Sequence, residues 1–137
     1  MSRTTGVGGK KQKPQDTLAQ YAGLKMEVDV LREELAGAIA DDDNRRAERL
    51  RLRIEAGERN MDEIEEAINR IPDPKQRVVL RRRYIYADFY RQPTWPEVAA
   101  KVYGDNDEKD MQNIYRLHGR ALQSFEAIYH AIQKTHQ

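Results

Sequence analysis

Five polar side chains in the last third of the chain have the chemistry that recognises base pairs in DNA. They are Gln112, Asn113, Tyr115, Arg116 and Arg120. Glutamine and asparagine amides pair with the edge of adenine, and an arginine guanidinium pairs with guanine or with a phosphate. The apolar residues among them, Ile114, Leu117 and Ala121, are spaced by three and four, as on one face of a helix. The spacing therefore predicts a helix, starting near Asp110, that buries its apolar face and exposes the polar side chains.

A short stretch just before that helix, residues 93–103, carries the signals that begin a helix. Thr94 is an N-cap residue, Glu97 three residues later completes a capping box, and Pro96 fits the first turn, where its missing N–H is no loss. Trp95, the only tryptophan of the chain, lies at the start of this helix. A helix of this length is not stable alone, so it must pack against its neighbours. In a helix-turn-helix, such a short helix supports the longer one that enters the major groove.

Basic side chains accompany the predicted DNA-contacting helix. Residues 75–120 contain ten lysines or arginines and six acidic residues, a modest positive excess. Arg81, Arg82 and Arg83 precede the short helix, at the expected border with DNA. We count Arg81, Arg82 and Lys109 among the candidate DNA-binding residues, because basic groups hold phosphates. The acidic residues cluster at 105–110, in a loop that we expect either to face away from phosphate or to repel it.

No constellation of residues in the sequence predicts catalysis. His118, His130 and His136 all fall in the last twenty residues, and the first two lie twelve residues apart on one predicted helix, too far to share a metal ion. The HExxH motif, a phosphate-binding glycine loop and a serine nucleophile elbow are absent. We therefore expect no enzyme activity, no cofactor and no bound metal ion.

The composition is that of a small intracellular protein. The chain has 137 residues, of which 39% are hydrophobic and 34% charged, so we expect one domain or one small domain plus an extension. There is no cysteine, which favours a reducing compartment. No apolar run approaches the roughly 20 residues that cross a bilayer, so we expect no membrane partner. Residues 1–15 carry four basic and no acidic residues and predict a disordered basic tail.

Residues 16–72 carry two heptad seams, and this pattern predicts two long charged helices. The first seam consists of Tyr21, Leu24, Val28, Leu31, Leu35 and Ala38. The second seam consists of Ala47, Leu50, Ile54, Gly57, Met61, Ile64, Ile68 and Ile71. Only Gly57 is out of character in such a seam. Residues 41–44 interrupt the pattern with side chains that suit a helix N-terminus.

Two arrangements bury these seams. The helices can fold back at residues 41–44 into an antiparallel hairpin, or they can join a second chain in a coiled coil. The short interruption favours the hairpin. Because two helices alone make a weak core, a homodimer through the N-terminal helices is a further expectation.

Residues 73–137 are predicted to form the DNA-binding domain, again from helices alone. A helical pattern covers residues 75–92 and stops before the prolines of the short helix. After the short helix, a final helix is expected to begin near Asp107 or Asp110 and to run to about Lys134. No strand is needed anywhere, so the predicted fold class is all-α.

Residues 68–122 resemble the region-4-like helix-turn-helix of sigma factors. Within that group they are most similar to small phage-encoded, sigma-like transcription regulators of the ArpU type. The matching stretches are RVVLRRRYI (77–85), TWPEVAAKV (94–102) and IYRLHGRAL (114–122). In proteins of that kind a charged helical segment commonly precedes the domain, as it does here.

The resemblance implies roles for several residues. Trp95 and Val98 would hold the short helix in place, with Leu80 and Tyr84 beneath it. The segment 104–109 is longer than the tight turn usual in that family, and an aspartate, Asp110, stands where a serine cap is typical.

Together these features predict a sequence-specific DNA-binding regulator of transcription, of phage or prophage type, in the cytoplasm of a bacterial host cell. Double-stranded DNA is the expected partner, and RNA polymerase is a further one. Two alternatives stay open: a small terminase-like DNA-packaging protein, and a helical protein-interaction module that does not meet DNA. The acidic loop and the net charge of +1 favour the interaction module.

Overall fold

The computed structural model describes residues 12–135, and over this range the chain forms five α-helices and no named strand. They are α1 (Pro14–Ala40), α2 (Asn44–Asn69), α3 (Pro74–Leu80), α4 (Trp95–Tyr103) and α5 (Glu108–Thr135). The predicted all-α class is confirmed. None of the described helices combines the length and the apolar character needed to cross a membrane.

The first helix starts earlier than predicted, at Pro14, since proline fits the first helical position. Residues 14 and 15 therefore belong to α1 and not to the predicted disordered tail. Residues 1–11, which make up most of that predicted tail, lie outside the described residues.

Helices α1 and α2 form a hairpin within one chain, one of the two arrangements that the seams allow. Only residues 41–43 connect them. Asp42 takes the left-handed conformation (φ 54°), and the Asp43 side chain caps α2 by accepting a hydrogen bond of 3.1 Å from the Arg46 N–H. Every seam residue is buried except Leu24, Leu35 and Met61, which are half-buried. The seams predicted from spacing are therefore the contact surfaces of the hairpin.

Gly57 lies on the seam of α2, directly against Val28 of α1. A Cβ atom placed on Gly57 would lie 2.7 Å from Cγ2 of Val28, closer than real Cβ contacts. Because valine is stiff at χ1, its methyl group cannot easily turn away. The glycine that interrupts the seam pattern is thus required by the packing of Val28.

The helix predicted over residues 75–92 ends early, at residue 85, and this part of the prediction is wrong. After α3 the chain makes one π-helical turn, Arg81–Ile85, which closes with a 2.9 Å hydrogen bond from the Tyr86 N–H to the Arg81 carbonyl. Residues 86–94 then form a loop that folds back on the helix end. There the Gln92 side chain donates a 3.3 Å hydrogen bond to the Arg83 carbonyl. This bond takes the place of the backbone N–H that the carbonyl would accept from if the helix continued.

The larger hydrophobic cluster joins the hairpin to the rest of the chain. It contains residues from every helix, among them Leu18, Ile64, Leu80, Val98 and Phe125. Helix α5 packs against all four other helices, and its buried residues extend from Ile114 to Ile132. A smaller cluster lies toward the tip of the hairpin, between α1 and α2 alone. Consequently α5 is held along its whole length on one side.

Candidate nucleic-acid interface

Helix α4 begins as the capping signals predict. The Glu97 N–H donates to the Thr94 hydroxyl (3.3 Å), and the Thr94 N–H donates to the Glu97 carboxylate (3.0 Å), so the capping box is complete. Arg91 also donates to both carboxylate oxygens of Glu97, at 2.9 and 3.0 Å. The Thr94 N–H, the Arg91 guanidinium and the Thr94 hydroxyl together lower the pKa of Glu97 to about 2. The orientation of α4 is therefore set by its own N-terminus.

A four-residue turn joins α4 to α5. Gly104 ends α4 in the left-handed conformation (φ 81°), and its N–H donates to the Ala100 carbonyl at 2.9 Å. Helix α5 then starts at Glu108, with the Asp107 side chain accepting a 2.9 Å hydrogen bond from the Asp110 N–H. Of the two starts predicted for this helix, near Asp107 and near Asp110, the structure has the first, because Asp107 is the residue that caps the helix.

Trp95 fixes α4 to its neighbours through contacts of the indole ring. The guanidinium carbon of Arg83 lies 4.3 Å from the ring centroid, and the His118 ring packs edge-on at 4.5 Å. The Tyr115 ring lies 5.6 Å away. Leu80, Tyr84 and Val98 are buried in the same hydrophobic cluster. The tryptophan therefore joins α4 to the π-helical turn after α3 and to α5.

A buried polar contact lies beneath the tryptophan. The Tyr84 hydroxyl and Nε2 of His118 are 2.7 Å apart, and both side chains are buried. Burial and the nearby positive charge of Arg83 lower the pKa of His118 to about 4. The imidazole is therefore neutral at physiological pH and acts as a packing residue, with its polar atom satisfied.

The outward face of α5 carries most of the predicted contact residues. Ile114, Leu117 and Ala121 are buried, as predicted. The exposed side chains are Lys109, Gln112, Tyr115, Arg116 and Arg120, and Asn113 is half-buried. No acidic residue occurs between positions 111 and 125. Between these positions the face thus combines amide, hydroxyl and guanidinium groups, and the preceding acidic side chains of the helix are Glu108 and Asp110 in its first turn.

The three consecutive arginines after α3 have different surroundings. Arg81 is half-buried and hydrogen-bonds the side chain of Asn69 at the end of α2. Arg82 is exposed, with its guanidinium 5.2 Å from the Tyr86 ring centroid. Arg83 stacks on Trp95 and donates to the Pro93 carbonyl. Of the predicted pair Arg81 and Arg82, the structure therefore leaves only Arg82 fully open to a partner.

An acidic cluster lies at the start of α5. The carboxylates of Asp105, Asp107 and Asp110 lie within 4.8 Å of one another, and among the described residues they form a group that is close enough to hold a cation. Desolvation and the neighbouring carboxylates raise the pKa of Asp110. The cluster gives this end of the face a negative potential beside Lys109.

The loop after α3 exposes aromatic rings that the sequence reading assigned to a helix. The exposed fraction of the side chain is 59% for Tyr86, 50% for Phe89 and 85% for Tyr90. The Phe89 and Tyr90 rings pack edge-to-face with centroids 5.1 Å apart. Signals for a loop were present in Asp88 and in the nearby Pro93, which disfavour a continuous helix.

No family model, no curated protein and no solved structure matches this chain, so its activity has to be inferred from the arrangement of these residues.

Proposed function

We propose that the chain is a sequence-specific DNA-binding protein that regulates transcription, with α4 and α5 acting as a helix-turn-helix. One observation carries the proposal: the outward face of α5 presents Gln112, Arg116 and Arg120 to solvent, while its inward face is buried. Side chains of these types recognise base edges and phosphates in the major groove.

The surroundings of that face suit the role. A recognition helix must be rigid, and α5 is held by α4 through Trp95 and by contacts with both helices of the hairpin. In this scheme Gln112 and Arg116 contact bases, because they lie near the N-terminal part of the helix. Lys109, Arg120 and Arg82 contact phosphates.

The resemblance to phage-encoded sigma-like regulators suggests the context of this activity. In that context the protein acts on promoter DNA in a bacterial host cell, and RNA polymerase is its second partner. The exposed aromatic rings of Tyr86, Phe89 and Tyr90 offer a surface for such a protein partner, since large exposed apolar groups are typical of interaction sites.

Selection of bound duplexes from a random DNA pool tests the proposal. The full chain should enrich a defined sequence, and Arg116→Ala should weaken binding to it by about 5- to 150-fold, the equivalent of 1–3 kcal/mol. The matched control is Arg51→Ala, which removes an exposed arginine of the hairpin that pairs with Glu48. Equal losses for the two variants, or no enriched sequence, would contradict the proposal.

A second candidate function is a protein-interaction module that does not bind DNA. The acidic cluster at Asp105, Asp107 and Asp110 favours it, because these carboxylates lie at the end of α5 that would approach phosphates. The same selection separates the two functions, since a module of this kind enriches no DNA sequence.

A further inference from the structure

One flank of the α1–α2 hairpin carries opposite charges on its two helices. Glu34 and Arg46 form an ion pair across this flank at 3.7 Å. Residues on one side of a helix recur every three, four or seven positions. Val30 and Glu27 therefore lie on the same side of α1 as Glu34, and Arg49 and Arg53 lie on the same side of α2 as Arg46. We call the resulting set the Glu34 flank: Glu27, Val30 and Glu34 on α1, and Arg46, Arg49 and Arg53 on α2.

The outer charges of this flank have no partner within the chain. Among the described residues, Glu27, Arg49 and Arg53 are exposed and take part in no ion pair or side-chain hydrogen bond. Val30 lies between the two glutamates and is 46% exposed. The flank therefore combines one free acidic group, two free basic groups and an exposed apolar side chain.

The opposite flank differs, because its central charges form ion pairs within the chain. There Arg32 pairs with both Glu58 and Asp29. Its exposed apolar residue, Ile39, lies seven residues after Arg32, at the end of α1. On the Glu34 flank, by contrast, Arg49 and Arg53 lie one helical turn apart without a partner in the described chain.

We propose that the Glu34 flank binds the same flank of a second copy of this chain. In a two-fold dimer with parallel hairpins, α1 of each copy lies over α2 of its partner, so an acidic helix meets a basic one on both sides. The inference does not depend on DNA binding.

The register of the hairpin brings Glu34 to the height of Arg49 and Arg53. Gly57 lies against Val28, and the Tyr21 hydroxyl donates to Glu65 at 2.8 Å, so residue numbers at one height add up to 85 or 86. Glu34 is therefore level with position 51 or 52, between Arg49 and Arg53. In the parallel dimer, the carboxylate of one copy faces both arginines of the other.

A second copy satisfies this flank better than DNA does. A phosphate backbone would attract Arg49 and Arg53, but Glu27 and Glu34 on the adjacent helix would repel it. Only a partner that presents both charges and an apolar centre complements the whole surface. The flank spans about 12 Å of each helix, which is small for a stable interface, so the dimer should be weak and salt-dependent.

Sedimentation equilibrium of the full chain tests the inference. At low salt the mass should rise with concentration from the 16.0 kDa of one chain toward twice that value. High salt should reverse the increase. A mass that stays at that of one chain throughout the micromolar range at low salt would overturn the inference.

Charge reversal tests the assigned surface. The double variant Arg49→Glu/Arg53→Glu and the double variant Glu27→Arg/Glu34→Arg should each weaken self-association at least about tenfold, because like charges then face each other. An equimolar mixture of the two should form a heterodimer. The control Lys25→Glu changes an exposed charge of the opposite flank and should leave the mass unchanged.

Circular dichroism would show that each variant keeps its helices, and the substituted side chains are at the surface. If both reversed variants dimerise as the wild type does, the assignment of the Glu34 flank is wrong. It is equally wrong if the wild type is monomeric and the arginine variant only loses DNA affinity, since the arginines would then belong to a DNA contact.

Discussion

The Tyr84 hydroxyl lies 2.7 Å from Nε2 of His118, inside the contact between the π-helical turn after α3 and helix α5. The Arg83 guanidinium and the Trp95 ring complete the surroundings of the imidazole. A proton added to His118 would place a positive charge in a buried site, beside another positive charge. Because this contact joins the helices of the proposed DNA-binding unit, the protonation of one histidine affects the stability of that unit.

We predict that the free energy of unfolding falls as the pH decreases from about 6.5 toward 4. The folded chain holds the pKa of His118 at about 4, below its ordinary value of 6.5, so the unfolded chain binds more protons in this interval. Stability is fully present above the ordinary pKa and declines below it. Between pH 7 and 5.5 the loss should be about 1 kcal/mol. Urea unfolding at a series of pH values measures it.

The variant His118→Asn provides the decisive comparison for the pH effect. It should be less stable at pH 7 but lose less stability between pH 7 and 5.5 than the wild type. The matched control is His130→Asn, which removes a half-buried histidine farther along the same helix. An unchanged pH dependence in His118→Asn would assign the effect to other groups.

We predict that Gly57→Ala lowers the free energy of unfolding by about 1–2 kcal/mol. An added methyl group would lie 2.7 Å from Cγ2 of Val28. The destabilisation by this overpacking exceeds the stabilisation that the higher helix propensity of alanine provides. The control is Gly37→Ala, at an exposed helical position with nothing within 4 Å, which should stabilise by about 0.5–1 kcal/mol. Chemical unfolding of both variants measures the difference.

A double variant shows whether Val28 is the cause. Val28→Ala combined with Gly57→Ala should cost less than the sum of the two single changes, by at least about 0.5 kcal/mol. Strict additivity would mean that the two residues do not press on each other.

Local signals predict several elements of this fold correctly. The capping box of Thr94 and Glu97 gives the exact start of α4, because its hydrogen bonds join residues three positions apart. The two heptad seams identify the buried faces of α1 and α2, since periodicity depends only on helix geometry. The buried face of α5 follows for the same reason.

Other features depend on contacts between distant residues and are missed. The end of the helix after α3 depends on Gln92, which folds back to bind the Arg83 carbonyl. The start of α5 involves two aspartates that are equally good caps, and the turn at Gly104 brings Asp107 into place. The different environments of the three arginines depend on Asn69 for Arg81, on Tyr86 for Arg82 and on Trp95 for Arg83. The contacts of Arg81 and Arg83 are made to residues ten or more positions away, which no local pattern reveals.

We predict that the variant Arg83→Ala destabilises the fold and that the neighbouring variant Arg82→Ala does not. Arg83 stacks on Trp95 and donates to the Pro93 carbonyl, so its loss should destabilise the fold by about 1–2 kcal/mol. Arg82 is exposed, so its loss should change stability by less than about 0.5 kcal/mol. Fluorescence of the single tryptophan during urea unfolding reports both values. Equal destabilisation by the two variants would contradict the assignment of Arg83 as a structural residue.

The last prediction concerns the acidic cluster at the start of α5 and rests on the proposed DNA binding. Asp105→Asn removes one exposed charge, while the amide oxygen can still accept the 2.7 Å hydrogen bond from the Asn106 N–H. Asp107, which caps α5, stays intact. If this end of the helix approaches phosphates, the affinity for the selected duplex should rise about 2- to 5-fold at low salt and less at high salt. Fluorescence anisotropy with a labelled duplex measures the change.

The control for this prediction is Asp41→Asn, which removes an exposed aspartate from the tip of the hairpin, outside α4 and α5. It should leave the affinity unchanged. If Asp105→Asn binds the duplex no more tightly than Asp41→Asn at low salt, the acidic loop faces away from DNA. In that case the part of α5 that carries Tyr115 and Arg116 would approach the phosphates. These exposed residues lie farther along α5 from the acidic cluster.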